Sequence, residues 1–256
     1  MKEMALVYLD KDKVYKMIKK QVISLELKPG SIFTELEISS KLNFGKSPVR
    51  EALKRLEQEN FITAIPYKGY LVKEISRNYV IELLEMRKVL ETHLSKVLAE
   101  KVKNGDTKVS QFISKILKEH ERLAPRILRN QKGEEIGKIA DIDFHLKLSR
   151  FYDNSIYQQI LHRLLDQILR VINLSAQVPD RIKKSFEEHY NILLAIKKGT
   201  PDEAEKLTIA HIESVKLDIL KKLLELEKVS ESASRVYPFS IQARKRAMRR
   251  TLKVKP

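Results

Sequence analysis

The chain has 256 residues, enough for one large or two small domains, and 43% of them are hydrophobic, so a sizeable core can be buried. It has no cysteine, which excludes disulfides and thiolate-held metals and fits a reducing cytoplasm. The formal net charge is +16, and half of it sits in the last 22 residues, which carry 8 Lys or Arg and no acid. Residues 1–76 and 77–234 contribute +4 each (14 basic against 10 acidic, and 28 against 24). A basic balance of this kind is compatible with nucleic acid. The first residues lack the long apolar core of a signal peptide, and no apolar run reaches membrane-spanning length.

The first predicted element is a helix over residues 11–26, with Val14, Met17, Ile18, Val22 and Leu25 on one face, ended by Lys28-Pro29-Gly30. Thr34 then opens a second helix. With Glu37 three residues on, it forms a capping box, and Ile38 and Leu42 mark the buried face. Asn43 to Lys46 read as a tight turn in which Gly45 supplies backbone freedom. Ser47 is predicted to cap a third helix with Pro48 at its first position. On that helix Val49, Ala52, Leu53 and Leu56 face inward. Two strands, 61–65 and 70–72, are joined by a hairpin at Pro66-Tyr67-Lys68-Gly69. Helix, turn, helix and wing within about forty residues have one dominant use, which is to lay a helix in the major groove of DNA. Lys46, Ser47, Arg50 and Lys54 on the third helix, and Lys68 and Gly69 at the wing tip, are the candidate DNA-binding residues. The competing reading is an ordinary helical corner with a solvated basic face.

Beyond Ser76 the pattern is helical throughout. Helices are predicted at 77–103, 106–130, 134–152, 155–177, 180–198 and 201–228, with Pro125 expected to kink or interrupt the second. The fold class expected is mainly α: a winged helix-turn-helix over 1–75, an antiparallel six- to seven-helix bundle over 76–229, and a basic tail over 230–256. The tail could add non-specific DNA affinity or be an unstructured end.

A second group of residues lies in the bundle. Asp141 and His145 stand at i and i+4, so they share a helix face and can share a metal, and other helices bring His189 and His211. Helical histidines are also commonly structural, and spacing leaves both readings open.

The run Ser47-Pro48-Val49-Arg50-Glu51-Ala52-Leu53, then Leu56-Glu57 and Pro66…Gly69-Tyr70-Leu71-Val72, resembles the GntR family of bacterial transcription regulators over about residues 11–73. That resemblance implies a DNA contact by Arg50. The family usually places Val-Ser-Arg before this run, where this chain has Phe44-Gly45-Lys46. Lysine cannot make the flat bidentate contact to guanine that arginine makes, so the operator sequence does not carry over.

The bundle resembles the FadR-type ligand-sensing domain in its FCD variant. The matching pieces are Asp141-x-x-Phe144-His145-x-x-Leu148, Asn154, Glu188-His189-x-x-Ile192-Leu193-x-Ala195-Ile196 and Ala204…His211. The resemblance implies that Asp141, His145, His189 and His211 hold a divalent transition metal (Zn, Ni or Mn). Arg87, in the pattern Arg87…Leu90-Glu91, is implied as a clamp for a ligand carboxylate, and Asn154 as a pocket residue. The plainer readings are an Arg87–Glu91 ion pair and a helix cap at Asn154.

The expected function is a cytoplasmic, homodimeric transcription regulator, not an enzyme. It would bind a double-stranded DNA operator as a repressor and be released by a small carboxylate effector. One alternative is a metal-dependent enzyme acting on a small organic acid, with an accessory nucleic-acid module. Another is an architectural DNA-binding protein whose bundle is purely structural, in which case the four metal candidates would diverge in space.

Overall fold

The computed structural model describes residues 2–129, 133–175 and 179–236, with side chains over 11–127, 140–174 and 181–228. The elements in order are α1 (Lys2–Ile23), β1 (Ile32–Phe33), α2 (Glu35–Leu42), α3 (Lys46–Gln58), β2 (Ile62–Ile65) and β3 (Gly69–Val72). Six helices follow: α4 (Arg77–Lys103), α5 (Thr107–Arg129), α6 (Gly133–Ser149), α7 (Ser155–Ser175), α8 (Pro179–Lys198) and α9 (Pro201–Val236). The fold is mainly helical, with a winged helix-turn-helix followed by a helical bundle. Among the described residues no helix is long and apolar enough to cross a membrane.

In the N-terminal part, α1 starts nine residues earlier than the predicted helix and ends at Ile23, before Lys28-Pro29-Gly30. Leu25 leaves the helix with φ +65°. Thr34 caps α2 as expected: its hydroxyl accepts from Glu37 N at 3.2 Å, and Glu37 Oε2 accepts from Thr34 N at 2.7 Å. The turn differs from expectation. Asn43, not Gly45, takes the left-handed conformation (φ 55°, ψ 47°), while Gly45 at φ −63° needs no special freedom. Asparagine tolerates that region because its short polar side chain fits it.

The cap of α3 also shifts. Gly45 is the N-cap, and Ser47 and Pro48 lie within the first turn. Proline is tolerated there because the first N–H groups of a helix lack intrahelical acceptors wherever the cap falls. On α3, Val49, Ala52, Leu53 and Leu56 are buried as the periodicity requires. They pack with Val14 and Ile18 of α1 and Phe61, Ile62 and Val72 of the wing. A fully buried leucine such as Leu53 is worth roughly 1.5–3 kcal/mol of transfer free energy.

The sheet has three strands rather than two, in the order β1-β3-β2, all antiparallel. Ile62 pairs with Val72 and Ile65 with Gly69. Gly69 has φ +108°, and a Cβ there would stand 2.3 Å from the Phe33 carbonyl oxygen. The wing can therefore lie against β1 only because that residue is glycine.

In the bundle, α4 is capped by Ser76, whose hydroxyl accepts from Tyr79 N at 3.2 Å. Helix α5 runs on through Pro125 without interruption. Helix α9 continues to Val236, past the predicted end at 228. The basic residues from Arg244 to Lys255 lie outside the described residues. One core joins α4 to α9 through Leu94, Leu98, Ile113, Phe144, Leu161, Ile192, Ile196 and Ala204. A second joins α4, α7 and α9 through Val80, Leu84, Ile168, Val171, Ile212 and Val215. Helices α4 and α9 form the most extensive pair, and α8 packs on both.

Candidate metal centre and nucleic-acid interface

Asp141 and His145 come from α6, one turn apart, and meet His189 of α8 and His211 of α9. Each offers one ligand atom, and the four atoms lie within 4.8 Å of one another. The three imidazoles are buried, and the Asp141 side chain is 15% exposed. His189 Nε2 stands 3.2 Å from His211 Nε2 and 3.6 Å from Asp141 Oδ1. The ring of His189 stacks on Phe144, with centroids 3.9 Å apart and planes 11° from parallel.

Two further carboxylates set the ring orientations. His145 Nδ1 lies 2.6 Å from Glu91 Oε2, and His211 Nδ1 lies 2.8 Å from Glu188 Oε2. His211 Nδ1–H donates to its carboxylate, which leaves the Nε2 lone pair for the cluster, while His145 Nδ1 and Glu91 Oε2 lie in close polar contact. Each carboxylate is held in turn by an arginine: Arg87 Nε donates to Glu91 Oε1 at 2.8 Å, and Arg181 pairs with Glu188. Burial opposes ionisation of Glu91, but the Arg87 guanidinium, with the adjacent His145 ring, outweighs it and holds its pKa down to about 2. Burial pushes His211 down to about 4, against the raising effect of Glu188. His189 is also held well below the ordinary histidine value, first by burial and then by the neighbouring rings and the Arg87 guanidinium. At neutral pH these two rings are therefore uncharged, the state in which imidazole binds a metal. Three imidazole nitrogens and one carboxylate oxygen converging on one point are a donor set suited to a divalent transition ion.

Arg87 has no exposed surface, and its Nη2 contacts His145 Nε2 and lies 3.4 Å from His211 Nε2. Among the described residues its Nη1 has no hydrogen-bond partner. Arg87 is thus both the i, i+4 partner of Glu91 and a cation at the edge of the cluster. Beside Glu91 and His145 is a cavity of about 10 Å³, walled by Leu94, Phe144, Leu148 and Ile192 and by the hydroxyl-bearing Ser95 and Thr208. That is room for about one water. Asn154 is exposed, and its Oδ1 accepts from Tyr157 N at 2.9 Å, which makes it the cap of α7.

At the other end of the chain, Lys46, Ser47, Arg50 and Lys54 are all exposed on α3, and Lys68 is exposed at the wing tip. Tyr67 beside it projects wholly into solvent with φ +62°. Arg50 is oriented by Glu35 of α2: its Nε and Nη2 each reach a Glu35 carboxylate oxygen at 3.0 Å. That bond to Arg50 lowers the Glu35 pKa. The fork of the guanidinium is thereby fixed in direction while more than half of the side chain stays exposed.

Sequence reasoning did not find Glu35, Glu91 or Glu188 in these roles. Glu188 carried a signal, since it precedes His189, yet it serves His211 on the next helix.

Residues 10–72 match the description "Bacterial regulatory proteins, gntR family", and residues 82–214 match the FCD domain. The chain belongs to the GntR family. It is a DNA-binding transcription regulator with an FCD domain. LutR, an HTH-type transcriptional regulator of Bacillus subtilis (strain 168), is 25% identical over 221 residues, covering 78% of this chain and 96% of LutR. The gluconate operon transcriptional repressor of the same organism is 28% identical over 176 residues, covering 69% of this chain and 68% of its own. Among solved structures, E. coli McbR/YncC superposes with a TM-score of 0.67 at 18% identity, over 84% of this chain and 98% of that one, which shows the shared fold. The family and these relatives are transcription regulators, not enzymes, and the enzyme alternative falls with that.

Proposed function

We propose that this GntR-family regulator is a homodimeric, cytoplasmic repressor released from its operator by a small carboxylate bound beside a divalent transition metal (Zn, Ni or Mn). Residues 1–75 form the DNA-reading unit, residues 76–229 the sensing and dimerising unit, and residues 230–256 a basic tail. The observation that carries the reading is the meeting of Asp141, His145, His189 and His211 within 4.8 Å, with the buried Arg87 Nη1 unpartnered at their edge. A purely structural bundle gives no reason for four ligand atoms from three helices to converge. A buried guanidinium N–H without an acceptor is costly, and an anion is the partner it lacks.

The donor set carries one negative charge, so a bound divalent ion would leave a positive centre for a carboxylate, with Arg87 as its second anchor. Arg87 is the carboxylate clamp, and Asn154, whose Oδ1 caps the start of α7, would line the pocket. The effector would act by binding more tightly to the bundle state that suits DNA less. On the DNA side, Lys46, Ser47, Arg50 and Lys54 of α3 would meet the major groove, and Lys68 and Gly69 the neighbouring backbone, on the two half-sites of a palindrome.

The test is a binding assay at fixed salt against genomic fragments and random DNA, with zinc and a panel of short organic acids added in turn. Selective binding to a fragment, weakened by an acid only when the metal is present, is the expected result. Equal affinity for random DNA overturns the reading.

A further inference from the structure

Helix α7 meets the N-terminal unit with a row of polar side chains that neither the cluster nor DNA binding uses. Gln167 Nε2 donates to the Glu59 carbonyl at 2.8 Å, Arg170 Nη2 to the Lys73 carbonyl, and Asn173 Nδ2 to the Ile23 carbonyl at 2.9 Å. The three donors are spaced three residues apart, which keeps them on one flank of the helix. Each acceptor closes a different element. Ile23 ends α1, Glu59 is the C-cap of α3, and Lys73 follows the last residue of β3. These are ends where carbonyls run out of regular partners. One residue before Gln167, Asp166 Oδ2 takes Lys19 Nζ at 2.6 Å, and the same ammonium reaches Glu59 Oε2 at 2.8 Å.

Arg170 is the costly member of the row. It is 1% exposed, and among the described residues its Nε and Nη1 have no hydrogen-bond partner. Burying a guanidinium for a single carbonyl bond stabilises little by itself, so its value is in direction rather than energy. The adjoining face of α7 is apolar and continuous with the sensing side: Ile168 and Val171 pack with Ile212 and Val215 of α9, and Ile212 directly follows His211.

From this we infer that Gln167, Arg170 and Asn173 are positioning residues that hold the DNA-reading unit in one pose on α7. The pose of α3 is then set by a helix whose other side borders the residue next to a cluster histidine. The inference goes beyond the proposed function and does not need it, because the three hydrogen bonds involve none of the cluster residues.

The chain has no cysteine, so a pair introduced at the exposed positions Gln58 of α3 and Lys197 of α8 can carry spin labels without background. Pulsed dipolar spectroscopy on the full-length protein, with the doubly labelled chain diluted in a large excess of unlabelled chain so that each dimer carries at most one labelled copy, then reads the distance between the two units. The parent is expected to give one narrow distance peak. Arg170→Met is expected to broaden or split it. Asn173→Asp, which keeps the shape but turns a donor into an acceptor facing a carbonyl, is expected to do the same while the thermal melt stays cooperative. Asn173 is only half-buried, so this second variant decides the matter should Arg170→Met unfold the chain. A peak as narrow in Asn173→Asp as in the parent overturns the inference.

Discussion

His211 donates its Nδ1–H to Glu188, one residue before the neighbouring cluster histidine, at 2.8 Å. The bond crosses from α9 to α8 and fixes which nitrogen of His211 faces the other ligands. Removing it should loosen the ring without removing a ligand. Glu188→Gln is expected to weaken zinc affinity by about 10–100-fold, the usual cost of losing a partner that orients a metal-binding histidine. Competition with a chromogenic chelator measures it, and an unchanged affinity would show that Glu188 serves only Arg181.

The residues proposed to contact DNA should separate by role. Arg50→Ala removes the oriented fork on α3 and is expected to cost about 1–3 kcal/mol on the selected operator. Lys68→Ala at the wing is expected to weaken all sequences alike and to reduce the slope of log affinity against log salt by about 1. Affinity measured across a salt series distinguishes them. A Lys68 variant with an unaltered slope would place the wing away from phosphate.

His120 supplies a pH dependence away from the cluster. It stacks on Phe186 at 3.5 Å between centroids and donates Nε2–H to the Phe186 carbonyl at 2.7 Å. Burial lowers its pKa below the ordinary 6.5, and the carbonyl bond and the charge of Glu121 only partly offset that. As pH falls below about 6.5 the unfolded chain takes up a proton that the folded chain refuses. The stability contributed by His120 is therefore complete above that pH and is lost as the pH drops toward the folded pKa. The melting temperature of the native chain should fall from pH 7.5 to 5.5, and His120→Phe should flatten that slope. Parallel slopes would refute the assignment.

Among the described glycines, Gly69 has the closest contact for an added Cβ. Gly69→Ala would put a methyl 2.3 Å from the Phe33 carbonyl at φ +108°. A loss of about 1–3 kcal/mol is expected, read by denaturant titration. A variant as stable as the parent would mean that the wing can lift from β1 at little cost.

Much of this was legible in the chain because the signals are local. Thr34 and Glu37 announce their capping box three residues apart, and the buried face of α3 follows from Val49, Ala52, Leu53 and Leu56. Errors came where a local rule had two solutions. Both Asn43 and Gly45 can turn the chain, and the left-handed position falls on Asn43. Strand β1, only Ile32 and Phe33, is too short to show alternation and exists because β3 offers it an edge. The histidine partners were out of reach for another reason. Glu91 reads as the i, i+4 mate of Arg87 on its own helix, and only the approach of α6 reveals that its second oxygen takes His145. The polar row on α7 is likewise invisible, since its acceptors belong to the main chain and leave no trace in residue identity.

That last point has a consequence for how such a regulator changes over generations. The carbonyls of Ile23, Glu59 and Lys73 that receive α7 are present whatever side chains those positions bear. On the proposed function, substitution across the reading surface would retarget the protein to a different stretch of genome while its attachment to α7 is kept. Two traits under separate selection, what is sensed and what is read, would then stay mechanically joined but free to vary independently.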